Sequence, residues 1–159
     1  VHSVIAELAA TGEPVDADRV LAAVVQRWAA APLGGSIASS VRARCSTTVA
    51  VYFARFAPPP HDWRLVGSEL RVGSAVADLV WRSDRHGVVI DEVKSGVADA
   101  RDADTADQLR RLAEGGGATF ADFVGVRLVP LGSPNRMTVT TLTDGRLVEA
   151  PAPEGMALR

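Results

Sequence analysis

Apolar residues recur at helical spacing over the first third of the chain and at alternating spacing beyond it. Val4 to Ala10 forms a short apolar segment that Thr11-Gly12-Glu13-Pro14 breaks. From Asp16 or Asp18 a helix is expected to about Ala31, with Val20, Leu21, Val24, Val25 and Trp28 on one side. An early Asp suits its positive N-terminal end. Pro32-Leu33-Gly34-Gly35 stops this helix, and Ser36 is expected to cap a second one to about Phe56. In it Ile37, Val41, Cys45, Val49 and Phe53 repeat at i+4 as a buried stripe. Pro58-Pro59-Pro60 is a stiff connector that ends the helical part.

Strand patterns follow at Trp63 to Val72, Ala75 to Trp81 and Val88 to Lys94. Gly73-Ser74 is a glycine-led two-residue loop of the type II′ kind, which pairs Val72 with Ala75. Ser83 to Gly87 is polar, ends in glycine and predicts a second hairpin symmetric about Arg85. A further helix opens at Asp102 or Asp104 and is expected to close at the triple glycine 115–117. The apolar strand Phe123 to Pro130 then implies a crossover back to the same sheet. Met137 to Leu142 and Arg146 to Glu149 flank Asp144-Gly145, a hairpin signal, and the tail from Pro151 is expected to be loosely held. The expected class is α/β: N-terminal helices, an antiparallel three-strand meander, a crossover helix with a further strand (an αβββαβ core), and a C-terminal hairpin. One domain over 1–159 is expected, with 1–57 helical and 63–150 holding the sheet and crossover helix.

These turns fix a register that carries chemistry. Counting back from Val72 and Ala75 puts Glu69 opposite Asp78, and symmetry about Arg85 puts Asp78 opposite Glu92. The three carboxylates would form a row across three strands, about 5 Å apart, with Lys94 two residues along on the same face. Opposed like charges destabilise a sheet, so such a row is expected to hold a cation. Asp91 should point to the other face, where it would cap or pair with an arginine on a covering helix; a strand ending one residue early would bring it to the metal instead.

Composition narrows the partners. The net charge is -2, without the basic footprint of a protein that coats nucleic acid. All but one of the 17 Lys and Arg residues are arginine, the exception being Lys94, and a compact ammonium is not interchangeable with a guanidinium in a tight site. A lone cysteine, Cys45, points to a reducing, cytoplasmic setting. The first residues lack a signal-peptide or membrane-spanning pattern, so no membrane partner is expected. A start at Val1 without methionine is expected of a trimmed or excised chain. His2, His61 and His86 have no ligand spacing among themselves, so none is expected to bind metal or act as a base.

Glu69, then Asp78, then Glu92-Val93-Lys94 closing an apolar strand resembles the PD-(D/E)XK nuclease superfamily, above all its RecB-like members. The resemblance covers roughly Trp63 to Phe123 and includes the order of elements. It implies that Asp78 and Glu92 bind a divalent metal, Mg²⁺ or Mn²⁺, with help from the Val93 carbonyl. It further implies that Glu69 contacts the metal directly or through water, and that Lys94 orients or activates the attacking water. Gln108 falls where those nucleases carry a glutamine, but Leu112 replaces the tyrosine that follows it there, so Gln108 stands equally as a solvated helix residue. Arg42, Arg71 and Arg110 could contact phosphates or simply face solvent. The implied function is metal-dependent phosphodiester hydrolysis, in DNA first of all. The alternatives are a non-catalytic nucleic-acid- or protein-binding module on the same fold, and an unrelated α/β domain. So small a domain has little surface for choosing its own target, so a second copy or a partner protein is expected to supply selection.

Overall fold

The computed structural model describes residues 1–30, 36–132, 138–143 and 146–151, with the backbone alone at 36–38, 138–143 and 146–151. Three helices, α1 (His2–Ala9), α2 (Ala17–Ala30) and α3 (Ser36–Arg55), precede the meander β1 (Arg64–Val72), β2 (Ala75–Ser83) and β3 (Gly87–Lys94). Helix α4 (Ala103–Thr119) crosses to β4 (Phe123–Pro130), and β5 (Thr138–Thr143) and β6 (Arg146–Pro151) follow. The strands lie in one sheet in chain order, β4 parallel to β3 and every other neighbouring pair antiparallel. This is the expected α/β architecture. The breaker Pro32-Leu33-Gly34-Gly35, the turn Asp144-Gly145 and the tail beyond Pro151 lie outside the described residues.

Turn chemistry sets the register as the sequence requires. Gly73 has φ +57° while Ser74 does not share a positive φ, as a type II′ turn demands, and Val72 pairs with Ala75. Gly87 has φ +84° and closes a three-residue loop in which the Ser83 hydroxyl accepts the amides of Arg85 and His86, both at 3.2 Å. Ser83 therefore pairs with Gly87, and Leu79 with Asp91.

Helices cover both faces. On one side α1, α2, α3 and the residue that follows α3 supply Ile5, Val24, Val49, Tyr52 and Phe56 to a core with Leu79, Trp81, Val89 and Val129. On the other, Leu109 and Leu112 of α4 pack on Val80, Val88, Ile90, Val126 and Leu128. Burial on both faces explains the unbroken apolar runs of β3 and β4. No helix among the described residues is long and apolar enough to cross a membrane.

Three expectations change. The buried face of α2 is Val20, Ala23 and Val24, whereas Leu21 and Val25 stand in solvent at 53% and 42% exposure. Along α3 and the residue after it the fully buried positions are Val49, Tyr52 and Phe56, an i, i+3, i+7 stripe, while Val41, Cys45 and Phe53 are only half-buried and the Ile37 side chain lies outside the described residues. The triple glycine does not end α4, which runs through it to Thr119. A Cβ at Gly115 would lie 2.2 Å from the Val72 carbonyl oxygen, and one at Gly116 2.4 Å from the Phe123 ring. Close approach of helix to sheet, rather than helix termination, is what glycine provides here.

Candidate active site

Strand β2 turns over in the middle. Ala75 and Ala77 face the α4 side, whereas Leu79 and Trp81 face α1–α3, although positions two apart on a regular strand share one face. Asp78 sits at this turnover. Opposite it in the β1 register is Glu69, the only non-glycine described with positive φ, at +51°. The β2–β3 ladder stops at Leu79↔Asp91. One residue further, where Asp78 would face Glu92, the Val93 N–H instead donates to Asp78 Oδ2 at 2.8 Å. The expected flat row of carboxylates is therefore corrected to a cluster gathered where β2 peels away from β3.

On one side of Asp78 lie Glu69 and a residue the sequence did not single out, His2. His2 Nδ1 is 3.6 Å from Asp78 Oδ1. One ligand atom each from His2, Glu69 and Asp78 lie within 4.8 Å of one another. The expectation that His2 has no such role came from looking for spacing among histidines. The first residue of α1 reaches Asp78 only because α1 packs across β1, and no local motif encodes that.

On the other side Glu92, 2% exposed, binds through one oxygen only. Lys94 Nζ lies 2.6 Å from Glu92 Oε1, Gln108 Nε2 donates to the same oxygen at 2.7 Å, and Lys94 Nζ donates to Gln108 Oε1 at 2.9 Å. Glu92 Oε2 is buried with no hydrogen-bond partner, and a buried carboxylate oxygen left so is costly unless a ligand completes it. Gln108 thus belongs to the cluster, and Leu112 is fully buried in the α4 core.

The electrostatics tie both sides together. Burial pushes the Asp78 carboxyl above its ordinary range, and the Glu69 charge adds to the rise against the Val93 N–H, His2 and Lys94. Burial likewise raises Glu92, helped by Asp78 and opposed by Lys94. Two neighbouring carboxyls held above their ordinary range are what a cation would reverse. The donor set of carboxylate oxygens and one imidazole fits a hard or borderline divalent ion.

Asp91 points to the opposite face, as alternation requires. It is fully buried and accepts Tyr52 OH at 2.8 Å, Trp81 Nε1 at 3.1 Å and the Nε and Nη2 of Arg127, an arginine that comes from the neighbouring strand β4 and not, as expected, from a covering helix. Arg42 and Arg71 are exposed on α3 and β1, and Arg110 is exposed on α4 and pairs with Asp107 at 2.8 Å. No bond links these three to the carboxylates among the described residues. His86 stacks on Trp63 with ring centroids 5.8 Å apart, and His61 lies beside Asp62 at 3.4 Å.

A comparison of the chain with protein-family models gave no match, and neither did a comparison with curated proteins.

Proposed function

We propose that the protein is a metal-dependent phosphodiesterase of the PD-(D/E)XK kind, and within that class a nuclease acting on DNA. The observation that carries this reading is the arrangement about Asp78. It joins His2 and Glu69 to a Glu92 whose second oxygen is buried without a partner, beside a lysine held at hydrogen-bond distance. Asp78, Glu92, Glu69 and His2 would hold Mg²⁺ or Mn²⁺, with the Val93 backbone alongside. Such an ion supplies an acidified water and neutralises charge that builds on phosphate. The chain's own part is positional. The Val93 N–H orients Asp78, Gln108 orients both Glu92 and Lys94, and the Lys94 ammonium is a donor for the developing anion. Lys94 is 33% exposed in its side chain while Glu92 is 3%, so the lysine meets solvent and substrate from the rim of a buried acid.

The test is a cleavage panel of single- and double-stranded DNA and RNA with Mg²⁺ or Mn²⁺, run beside Glu92→Ala and Lys94→Ala. Metal-dependent cutting lost in both variants is the expected result, and cutting that survives in both overturns the assignment. Metal-induced thermal stabilisation that disappears in Asp78→Ala, with no substrate cut, would instead assign a binding module.

A further inference from the structure

A cleft of about 500 Å³ opens between α1, α2 and β1 and ends at the candidate metal ligands His2 and Glu69. One wall carries the small side chains of Ala6 in α1 and Ala10 just past it, and the other wall is the edge strand of the sheet. That wall is irregular: the β1–β2 register shifts between Leu65 and Gly67, and bulges beside active sites commonly re-aim the backbone. As an edge strand, β1 has backbone groups on its outer side that no further strand takes up. The volume falls within the range of small-ligand sites, sufficient for one unit of a polymer and not for an extended surface.

Among the described residues Arg27 of α2 is the one arginine or lysine in the lining. Glu7 lines the same cleft, yet no hydrogen bond or ion pair holds Arg27 to it or to any other described residue. Its guanidinium fork is therefore free for an incoming group, and arginine suits bidentate contact with phosphate.

We propose that this cleft seats the nucleotide next to the scissile phosphate, with Arg27 anchoring the phosphate of that unit. This rests on the nuclease reading above and adds a substrate-binding residue to it. Arg27 does not reach the carboxylate cluster by any bond, so it acts on binding rather than on the chemical step. Glu7, a negative charge beside the same phosphate, opposes it.

The experiment measures steady-state cleavage of a fluorescent oligodeoxynucleotide by the parent, Arg27→Ala, Arg27→Lys, Glu7→Gln and, as a control with the same charge change, Arg85→Ala in the β2–β3 turn. Arg27→Ala should raise KM about fivefold or more with kcat nearly unchanged, the pattern of lost uniform binding. It should also flatten the logarithmic dependence of affinity on salt by about one unit. Arg27→Lys, which keeps the charge but not the fork, should recover only part of the loss, and Glu7→Gln should lower KM. If Arg27→Ala behaves as Arg85→Ala does, the cleft assignment is overturned while the nuclease reading stands. If the parent does not cut, the nuclease reading fails on its own, and anisotropy of the same oligonucleotide in Ca²⁺ decides the cleft. Binding weakened only by Arg27→Ala supports it, and equal or absent binding overturns it.

Discussion

Asp91 and Glu92 are consecutive on β3 and commit their carboxylates to opposite faces of the sheet, one to a closed internal network and the other to the cluster around Asp78. Asp91 is held from three directions, by Tyr52 of α3, Trp81 of β2 and its ladder partner Arg127 of β4. Burial drives the Tyr52 hydroxyl well above its ordinary pKa, reinforced by the Asp91 charge, so it remains a donor at any working pH. Removing one member of a buried ion pair strands the other, so Asp91→Ala should cost about 3–5 kcal/mol in urea unfolding. Tyr52→Phe, which leaves the Trp81 and Arg127 donors on Asp91, should cost about 1 kcal/mol. The double change Asp91→Leu with Arg127→Met should recover much of the single-variant loss, since a buried pair is often no better than well-packed apolar groups. A double variant as unstable as Asp91→Ala would refute this account of the network.

Gln108 bridges Glu92 and Lys94, and among the described residues no hydrogen bond ties it to His2 or Glu69. It acts as an outer partner that fixes an acid and an ammonium relative to each other. Gln108→Ala should lower metal affinity or activity by about 10–100-fold, the usual cost of losing such a partner, with little change in melting temperature. Titration with Mn²⁺ alongside the cleavage assay measures both. Unchanged affinity and activity would return Gln108 to the solvated helix residue that its pattern also allowed.

How much of this could be read from the chain depends on which forces are local. The strand registers followed from Gly73 and Gly87, whose positive φ is encoded by residue type, and the opposite facing of Asp91 and Glu92 followed from the period of two. The turnover of β2 at Asp78 was not legible: Ala77 and Leu79 are alike in pattern and lie in different cores. Nor was the passage of α4 through Gly115 to Gly117, because propensity there says stop while the approach to Val72 and Phe123 asks for absent side chains. His2 joins the site only through tertiary packing of α1. Leu21 and Val25 carry an apolar pattern that the fold leaves exposed, and nothing in the structure explains it.

The raised carboxyls of Asp78 and Glu92 set the sign of a pH dependence. An acid whose pKa is higher in the folded than in the unfolded state contributes stability below its unfolded pKa, and that contribution is lost as pH rises through the folded value. Without metal, the two acids should therefore disfavour the fold progressively from the acidic range upward. Asp78→Asn should be more stable than the parent at neutral pH, and the difference should shrink on acidification. Adding Mg²⁺ or Mn²⁺ should stabilise the parent most at the upper end of this range, where both acids are charged. Melting temperatures of parent and variant across pH, with and without metal, measure each effect, and a parent more stable than Asp78→Asn at neutral pH without metal contradicts the sign.

Glu69 combines a side chain of the carboxylate cluster with an unfavourable backbone. At φ +51° it occupies the left-handed region, where a residue bearing a Cβ is disfavoured by about 1–2 kcal/mol. Glu69→Gly and Glu69→Ala both delete the carboxylate, but only glycine also relieves the backbone. The glycine variant should therefore be more stable than the alanine variant by about 1 kcal/mol, with both equally impaired in binding metal. Equal stability of the two would mean that the left-handed backbone at position 69 relaxes once the carboxylate is gone. The side chain would then be what holds the strand in that conformation, and the positive φ of Glu69 would belong to the cluster rather than to the scaffold.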